Sequence, residues 1–420
     1  MQYDVDVAVV GGGPAGLAAA LAAKEAGASE VLLVDREEQL GGILKQCIHP
    51  GFGISFFNAD LTGPEYAERF IEAINRAGVK TLNKTAVLSI KPRSLTVLME
   101  GKGIKEISAK AIVLAMGCRE RTREALGIPG FRPAGVFTAG LAQRLINIEG
   151  KMIGRRIVIL GSGDVGLIMA RRSTLEGAVV EGVYEILPYP GGLVRNIVQC
   201  LEDYGIPLYL SHTVTFIHGN KRVEGVNVAK VDQNLQPISG SERYIPCDTL
   251  LLSVGLIPEN ELSRVAGIEI DKRTGGPIVD SMMQTSLSGI FACGNVLHVH
   301  DLVDNVTQES IKAGKAAAFF SLGERGKREI CVPTISGKNV RYVLPHLINL
   351  MDDGEENVTF YLRVEKPTGK SKLNLIKNGE TVASKIEPLA RPSEMISITV
   401  NKKELSLQKG ESLLFEVTEI

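Results

Sequence analysis

The feature that most constrains this chain is a glycine loop set between a strand and a helix, and it occurs twice. Gly11-x-Gly13-x-x-Gly16 follows the apolar run 5–10 and leads into an alanine-rich helical stretch over 14–26. Asp35 closes the next apolar run, 31–34, and stands 19 residues beyond Gly16. Gly161-x-Gly163-x-x-Gly166 repeats the plan after residues 157–160, and Glu185 stands 19 residues beyond Gly166 near the end of a strand over 179–186. Each part has a physical task. Glycines permit a tight turn and close approach of backbone to a pyrophosphate, and a helix N-terminus adds unpaired N–H groups and the positive end of its dipole. The acid accepts hydrogen bonds from ribose hydroxyls. The spacing therefore predicts two dinucleotide folds. Gly11, Gly13, Pro14, Ala15, Gly16, Asp35 and Arg36 mark the first, and Gly161, Gly163, Asp164, Val165 and Glu185 mark the second.

Glu185 also bears on which nucleotide the second fold takes. A carboxylate serves both ribose hydroxyls of NAD and repels the 2′-phosphate of NADP. Two unit charges at ~4 Å in an effective dielectric of about 20 interact by ~4 kcal/mol. No arginine lies in 186–192 to welcome the phosphate. NAD is expected.

Strands alternate with helices through most of the chain, as in parallel α/β folds, and the pattern changes after about residue 330. Val358, Phe360, Leu362 and Val364 then alternate with Thr359, Tyr361, Arg363 and Glu365, and Asn378-Gly379 is a hairpin signal inside 373–386. The expected architecture is α/β, with two Rossmann-like domains and a small C-terminal all-β domain, read as antiparallel. The boundaries expected are 1–118 with 250–330 for the first nucleotide domain, 119–249 for the inserted second, and 331–420 for the β-domain. Residues 352–356, Asp-Asp-Gly-Glu-Glu, read as an exposed loop. The β-domain is expected to be a docking module on which neither nucleotide site depends.

A formal net charge of −1 gives no general attraction to nucleic acid or anionic lipid. No apolar run approaches the ~18 residues of a membrane span, and the acidic N-terminus is unlike a leader. Six scattered cysteines form no C-x-x-C pair, which argues against a disulfide framework, a zinc site or an iron–sulfur site, and a reducing cytoplasm is expected.

The first loop alone does not separate FAD from NAD. Thr285-Ser286-Leu287-Ser288-Gly289-Ile290-Phe291-Ala292-Cys293-Gly294-Asn295 resembles the second FAD signature of flavoproteins with two dinucleotide folds, with Asn295 in place of the usual Asp. Gly41-Gly42, the strand ending Ala115-Met116-Gly117 and the segment 247–255 ending at Gly255 extend the likeness. Residues 1 to about 325 thus resemble the class II pyridine nucleotide-disulfide oxidoreductases of thioredoxin-reductase type. The resemblance implies FAD at Gly42, Ile43, Ala115, Gly117, Gly294 and Asn295, with Thr307, Gln308 and Glu309 opening the flavin-facing helix, and places Gly255 with the NAD site. One departure matters. Where thioredoxin reductases carry their redox C-x-x-C, this chain has Thr138-Ala139-Gly140-Leu141-Ala142, so a dithiol relay is not expected.

Residues 41–53 and 297–304 further resemble the companion flavoproteins of bacterial glycerol-3-phosphate dehydrogenases, related to subunits of opine, proline and sarcosine oxidases. That likeness implies electron exchange with a partner dehydrogenase, and any iron–sulfur or cysteine-rich module on another chain. Cys47 and His49 are the candidate catalytic residues, with Cys47 read either as a redox thiol or as a small buried hydrophobe. The alternatives are a stand-alone NADH oxidase or peroxidase using Cys47 and a structural flavoprotein without nucleotide turnover. His49, His298 and His300 read as a polar rim over the flavin. No carboxylate motif completes a metal site, and none is expected.

Overall fold

The computed structural model describes residues 3–324, 330–351 and 356–420. The chain divides into two compact units, Met1–Cys118 with Pro258–Ile420, and Arg119–Ile257. Among the described residues no helix is long and apolar enough to cross a membrane.

In the first unit Tyr3–Val10 lies inside a seven-stranded sheet, flanked in parallel by Val31–Val34 and Gly103–Leu114. Val7, Ala8 and Val9 are wholly buried. A strand covered on both faces has no polar side to show, which is why 5–10 reads as an unbroken apolar run. Ile290–Ala292 pairs with the far end of Gly103–Leu114 and so carries the second signature to the same sheet end as the first loop. The helices Pro14–Glu25 and Val303–Ser321 pack through small residues: a Cβ on Gly314 would lie 2.1 Å from the Ala19 carbonyl oxygen.

The second unit holds a five-stranded parallel sheet in the order Leu208–Leu210, Val179–Glu185, Arg156–Leu160, Thr249–Leu252, Val136–Thr138. The inserted domain therefore does not end at residue 249. Thr249–Leu252 is a central strand of its sheet, and the unit continues to Ile257. An apolar strand carries no mark of which sheet it joins, so the boundary was not legible.

The C-terminal region builds two sheets, Leu347–Asn349, Cys331–Ser336, Leu413–Glu419, Ser371–Lys377, Glu380–Glu387 and Val340–Leu344, Asn357–Val364, Ile396–Asn401. Phe360, Leu362, Leu373, Leu375 and Phe415 fill the core between them. Asn378 and Gly379 both have positive φ and close the hairpin between Ser371–Lys377 and Glu380–Glu387. The region is not wholly antiparallel, because Cys331–Ser336 runs parallel to Leu413–Glu419. Residues 352–355 of the expected acidic loop, and 325–329 at the expected boundary near 330, lie outside the described residues.

This β-region is not a separate module. It belongs to the first unit, and its Tyr342 and Leu344 join the hydrophobic core of the dinucleotide fold. Tyr361 and Arg363, on the alternate face of Asn357–Val364, are buried instead of facing solvent. Period-two patterning shows that a strand has two faces, but not what covers the second one.

Candidate functional site

The first glycine loop is shaped by backbone contacts. Gly11 has φ +107, and a Cβ there would meet the Ala115 carbonyl oxygen at 2.4 Å; on Gly16 it would meet the Gly11 carbonyl oxygen at 1.7 Å. Gly12 donates a short hydrogen bond to Asp35, whose other oxygen accepts from Glu37 N at 2.7 Å. The Gly41 amide donates to the Gly12 carbonyl at 2.8 Å, which sets the Gly41-Gly42 turn against the loop. Gly13 differs from these. A Cβ there would meet nothing nearer than Gly42 Cα at 3.9 Å, and its φ is −77. Neither fold nor dihedral requires glycine at 13, so the space above it suits a pyrophosphate at the N-terminus of the 12-residue helix Pro14–Glu25, which no side chain caps. Arg36 and Ile43 are exposed, Ala115 is buried, and Gly117 turns at φ +74 beyond the sheet end.

The second loop repeats this arrangement within its own unit. Ser162 donates to Glu185 Oε2 from its amide at 2.8 Å and its hydroxyl at 2.6 Å, and Leu187 N donates to Oε1 at 3.0 Å. Asp35 and Glu185 thus play the same local part, each accepting the amide of the second loop residue while standing at a strand end. Asp164 also has a structural part. Its Oδ1 accepts from Leu193 N at 2.8 Å and Asn196 Nδ2 at 2.6 Å, so its side chain anchors the segment that follows the strand. Val165 lies in the first turn of the helix Asp164–Leu175, and Gly255 has φ +101. Arg195, just past the stretch 186–192, is exposed in the first turn of Val194–Cys200.

Thr307, Gln308 and Glu309 do not open the flavin-facing helix. It starts at Val303, and these residues occupy its second turn. Thr307 shares a hydrogen bond with Tyr66 at 2.7 Å, and Gln308 is exposed. The first turn instead supplies Asp304, which accepts from Gly53 N, Ser55 N and Oγ, and Phe56 N at 2.7–3.2 Å. The sequence offered no signal for this anchor, because its partners lie about 250 positions away.

Glu309 turns inward. Its Oε1 accepts the Gly294 amide at 2.6 Å, and the carboxylate faces His298 Nε2 at 2.9 Å and His300 Nε2 at 3.3 Å. His298 Nδ1 lies 3.5 Å from the Tyr342 hydroxyl, which accepts from Arg363 Nε at 3.1 Å. Arg363 also donates to Asp301 and to the Val299 carbonyl. Asn295 Oδ1 accepts the His300 amide at 3.0 Å, and its Nδ2 lies 3.5 Å from Cys118 Sγ. Burial, with His300 beside it, pushes His298 down to about 4, which leaves it neutral at pH 7. Burial acts to raise Glu309, but the facing His300 and His298 rings outweigh it and hold the carboxyl well below its usual range. His49 is not part of this group: it bonds the Pro50 carbonyl at 2.9 Å and tilts against Phe52.

All six cysteines are free. Burial pushes the Cys47 thiol up to about 12, and its Sγ donates to the Ile43 carbonyl at 3.3 Å. Ala139 and Ala142, where a dithiol would stand, are wholly buried.

This architecture of two glycine-loop sheets defines a two-nucleotide flavoprotein fold. The model of the pyridine nucleotide-disulphide oxidoreductase family matches residues 5–317, and the chain belongs to that family. Its members are FAD-dependent oxidoreductases that use NAD(P)H. An opine oxidase subunit from Agrobacterium tumefaciens is 26% identical over 76% of this chain and 65% of its own length. The chain thus spans somewhat less than two thirds of that relative. Hydrogen cyanide synthase subunit HcnB of Pseudomonas protegens is 26% identical over 76% of this chain and 70% of its own. The crystal structure of T. acidophilum thioredoxin reductase has a similar fold, with TM-score 0.62 and 24% identity over 76% of this chain and 99% of that one.

Proposed function

We propose that this chain is the FAD- and NAD(H)-binding subunit of an oxidoreductase that passes electrons between NAD(H) and a second dehydrogenase chain or acceptor protein in the cytoplasm. One observation carries the reading. Both glycine loops keep their strand-end carboxylate in place, while the position of a dithiol relay is filled by buried Ala139 and Ala142. Electrons that enter at the second loop and reach the first have no sulfur pair to leave by, so the acceptor must meet the flavin site itself. FAD, when bound, supplies hydride acceptance and release. The protein's part is to hold it: the Gly11–Gly16 loop for the pyrophosphate, Asp35 for the ribose, and the Gly294-Asn295 turn for the ribityl side. Glu185 favours NAD over NADP. The partner we favour is a glycerol-3-phosphate-dehydrogenase-like chain, with any iron–sulfur cluster on a further subunit. Two relatives that are themselves named as subunits support an assembly.

Anaerobic mixing of the FAD-loaded chain with NADH or NADPH tests this. Flavin bleaching that is at least about tenfold faster with NADH is expected, since a charge-assisted contact is worth roughly 1.5 kcal/mol or more. Absence of bleaching with either nucleotide overturns the proposal in favour of a structural flavoprotein. The stand-alone peroxidase reading gains nothing from Cys47, whose raised thiol is a poor nucleophile at neutral pH.

A further inference from the structure

We propose that His298, His300 and Glu309 hold a divalent metal ion of borderline hardness, zinc or ferrous iron, that staples the loop after the second FAD signature to the helix Val303–Ser321. The sequence shows His298-x-His300 and no carboxylate to go with it. The fold supplies the carboxylate, because the helix that follows the loop turns Glu309 back onto both rings.

Three observations support a ligand set over an ordinary polar cluster. The three ligating groups converge, with one ligand atom from each lying within 4.8 Å of the others. The imidazole nitrogens lie 2.9 and 3.3 Å from the two carboxylate oxygens. Ligands about 2.0–2.2 Å from one tetrahedral or octahedral cation are separated by roughly 3.0–3.5 Å. Second, the site is dry: His298, His300 and Glu309 are 1%, 8% and 3% exposed. Glu309's ion-pair partners are these two imidazoles, and among the described residues no lysine or arginine pairs with it. A buried carboxylate that faces two imidazole nitrogens and pairs with no lysine or arginine leaves its charge to be met by a cation. Third, His300 Nδ1 has no hydrogen-bond partner among the described residues and Nε2 has only the 3.3 Å approach to Glu309 Oε1, although the side chain is wholly buried. An imidazole nitrogen without a hydrogen bond in a dry site is destabilising, and a metal bond removes that cost.

The surroundings match those of metal ligands. The Gly294 amide orients Glu309 Oε1, and the Tyr342 hydroxyl stands beside His298 Nδ1, held in turn by Arg363. Such outer partners fix ligand orientation and tautomer. Two nitrogens and one carboxylate suit zinc or ferrous iron better than calcium or magnesium, which prefer all-oxygen sets. A cation here closes a loop that begins at the Gly294-Asn295 turn, so its effect on the flavin site is positional.

The test is elemental analysis of the FAD-loaded full chain, grown with added zinc and iron and purified without chelators. About one equivalent of one of these metals per chain is expected, and it should fall at least tenfold in His300→Ala and in Glu309→Gln, since losing one of three ligands costs that much or more. Flavin content and the far-ultraviolet spectrum report folding. If His300→Ala does not fold, the milder His300→Asn decides, and metal loss from folded, yellow protein supports the site. A wild-type chain that holds no metal, and takes up neither zinc nor iron from a chromophoric chelator, overturns the proposal. So does metal content that is equal in wild type and both ligand variants.

Discussion

Arg363 of the β-region donates to Asp301, which lies six residues past Asn295 in the loop that follows the second FAD signature. Both side chains are mostly buried, and Asp301's other oxygen accepts the Met395 amide at 2.7 Å. The pair fastens the C-terminal sheet to the flavin end of the dinucleotide fold. Docking alone is therefore too small a part for this region.

Arg363→Met is expected to destabilise the chain by about 3–5 kcal/mol, the usual result of leaving one member of a buried pair alone. The double variant Asp301→Asn with Arg363→Met should recover part of that loss. Urea unfolding followed by circular dichroism measures both. A single variant that costs less than about 1 kcal/mol would show that the pair behaves as a surface contact. Truncation after residue 326 should likewise release the flavin, because Tyr342 and Leu344 leave the hydrophobic core of the dinucleotide fold.

Gly13→Ala and Gly16→Ala separate a glycine kept for a ligand from one kept for the fold. The Gly13 variant should fold and purify pale, with FAD affinity lowered at least about tenfold, because its new methyl meets ligand and not protein. The Gly16 variant places a methyl 1.7 Å from the Gly11 carbonyl oxygen and should fail to fold. Flavin absorbance per chain and circular dichroism distinguish the outcomes. A yellow Gly13→Ala protein of normal affinity would remove the pyrophosphate from that position.

The thiols give a pH dependence with a definite sign. Cys247 and Cys293 are buried, and burial pushes each up to about 12 from an ordinary value near 9.0. The unfolded chain therefore loses these protons first. The stability that the neutral thiols contribute is complete below about pH 9 and is lost as pH rises toward about 12, by at most about 1.4 kcal/mol per pH unit for each thiol. Urea midpoints between about pH 8 and about pH 10.5 should fall less steeply in Cys247→Ala than in wild type, and equal slopes would contradict the assignment. For Cys47 the same direction means a neutral thiol at pH 8. Cys47→Ser should keep NADH-driven acceptor reduction within about twofold. A hundredfold loss with FAD still bound would restore the redox role.

The sequence by itself determined both dinucleotide folds, because a glycine loop, its helix and its strand-end acid lie within about 25 residues and need only local geometry. Asp35 and Glu185 were legible for that reason, as was the Asn378-Gly379 hairpin, whose two positive φ values are a property of the turn itself. The departure at Ala139 and Ala142 was legible too, since missing sulfur is a matter of composition. Contacts between distant segments were decided only by the tertiary structure. Asp304 reaches back to Gly53 and Ser55, Thr249–Leu252 joins the inserted sheet, and Tyr361 and Arg363 turn from an apparent outer face into a buried one. Glu309 reads in the sequence as part of a helix start, and the fold sends it to His298 and His300 instead. The physical reason is common to these cases: a residue's pattern tells which face of its element it occupies, while the partner on that face is set by chain folded in from elsewhere.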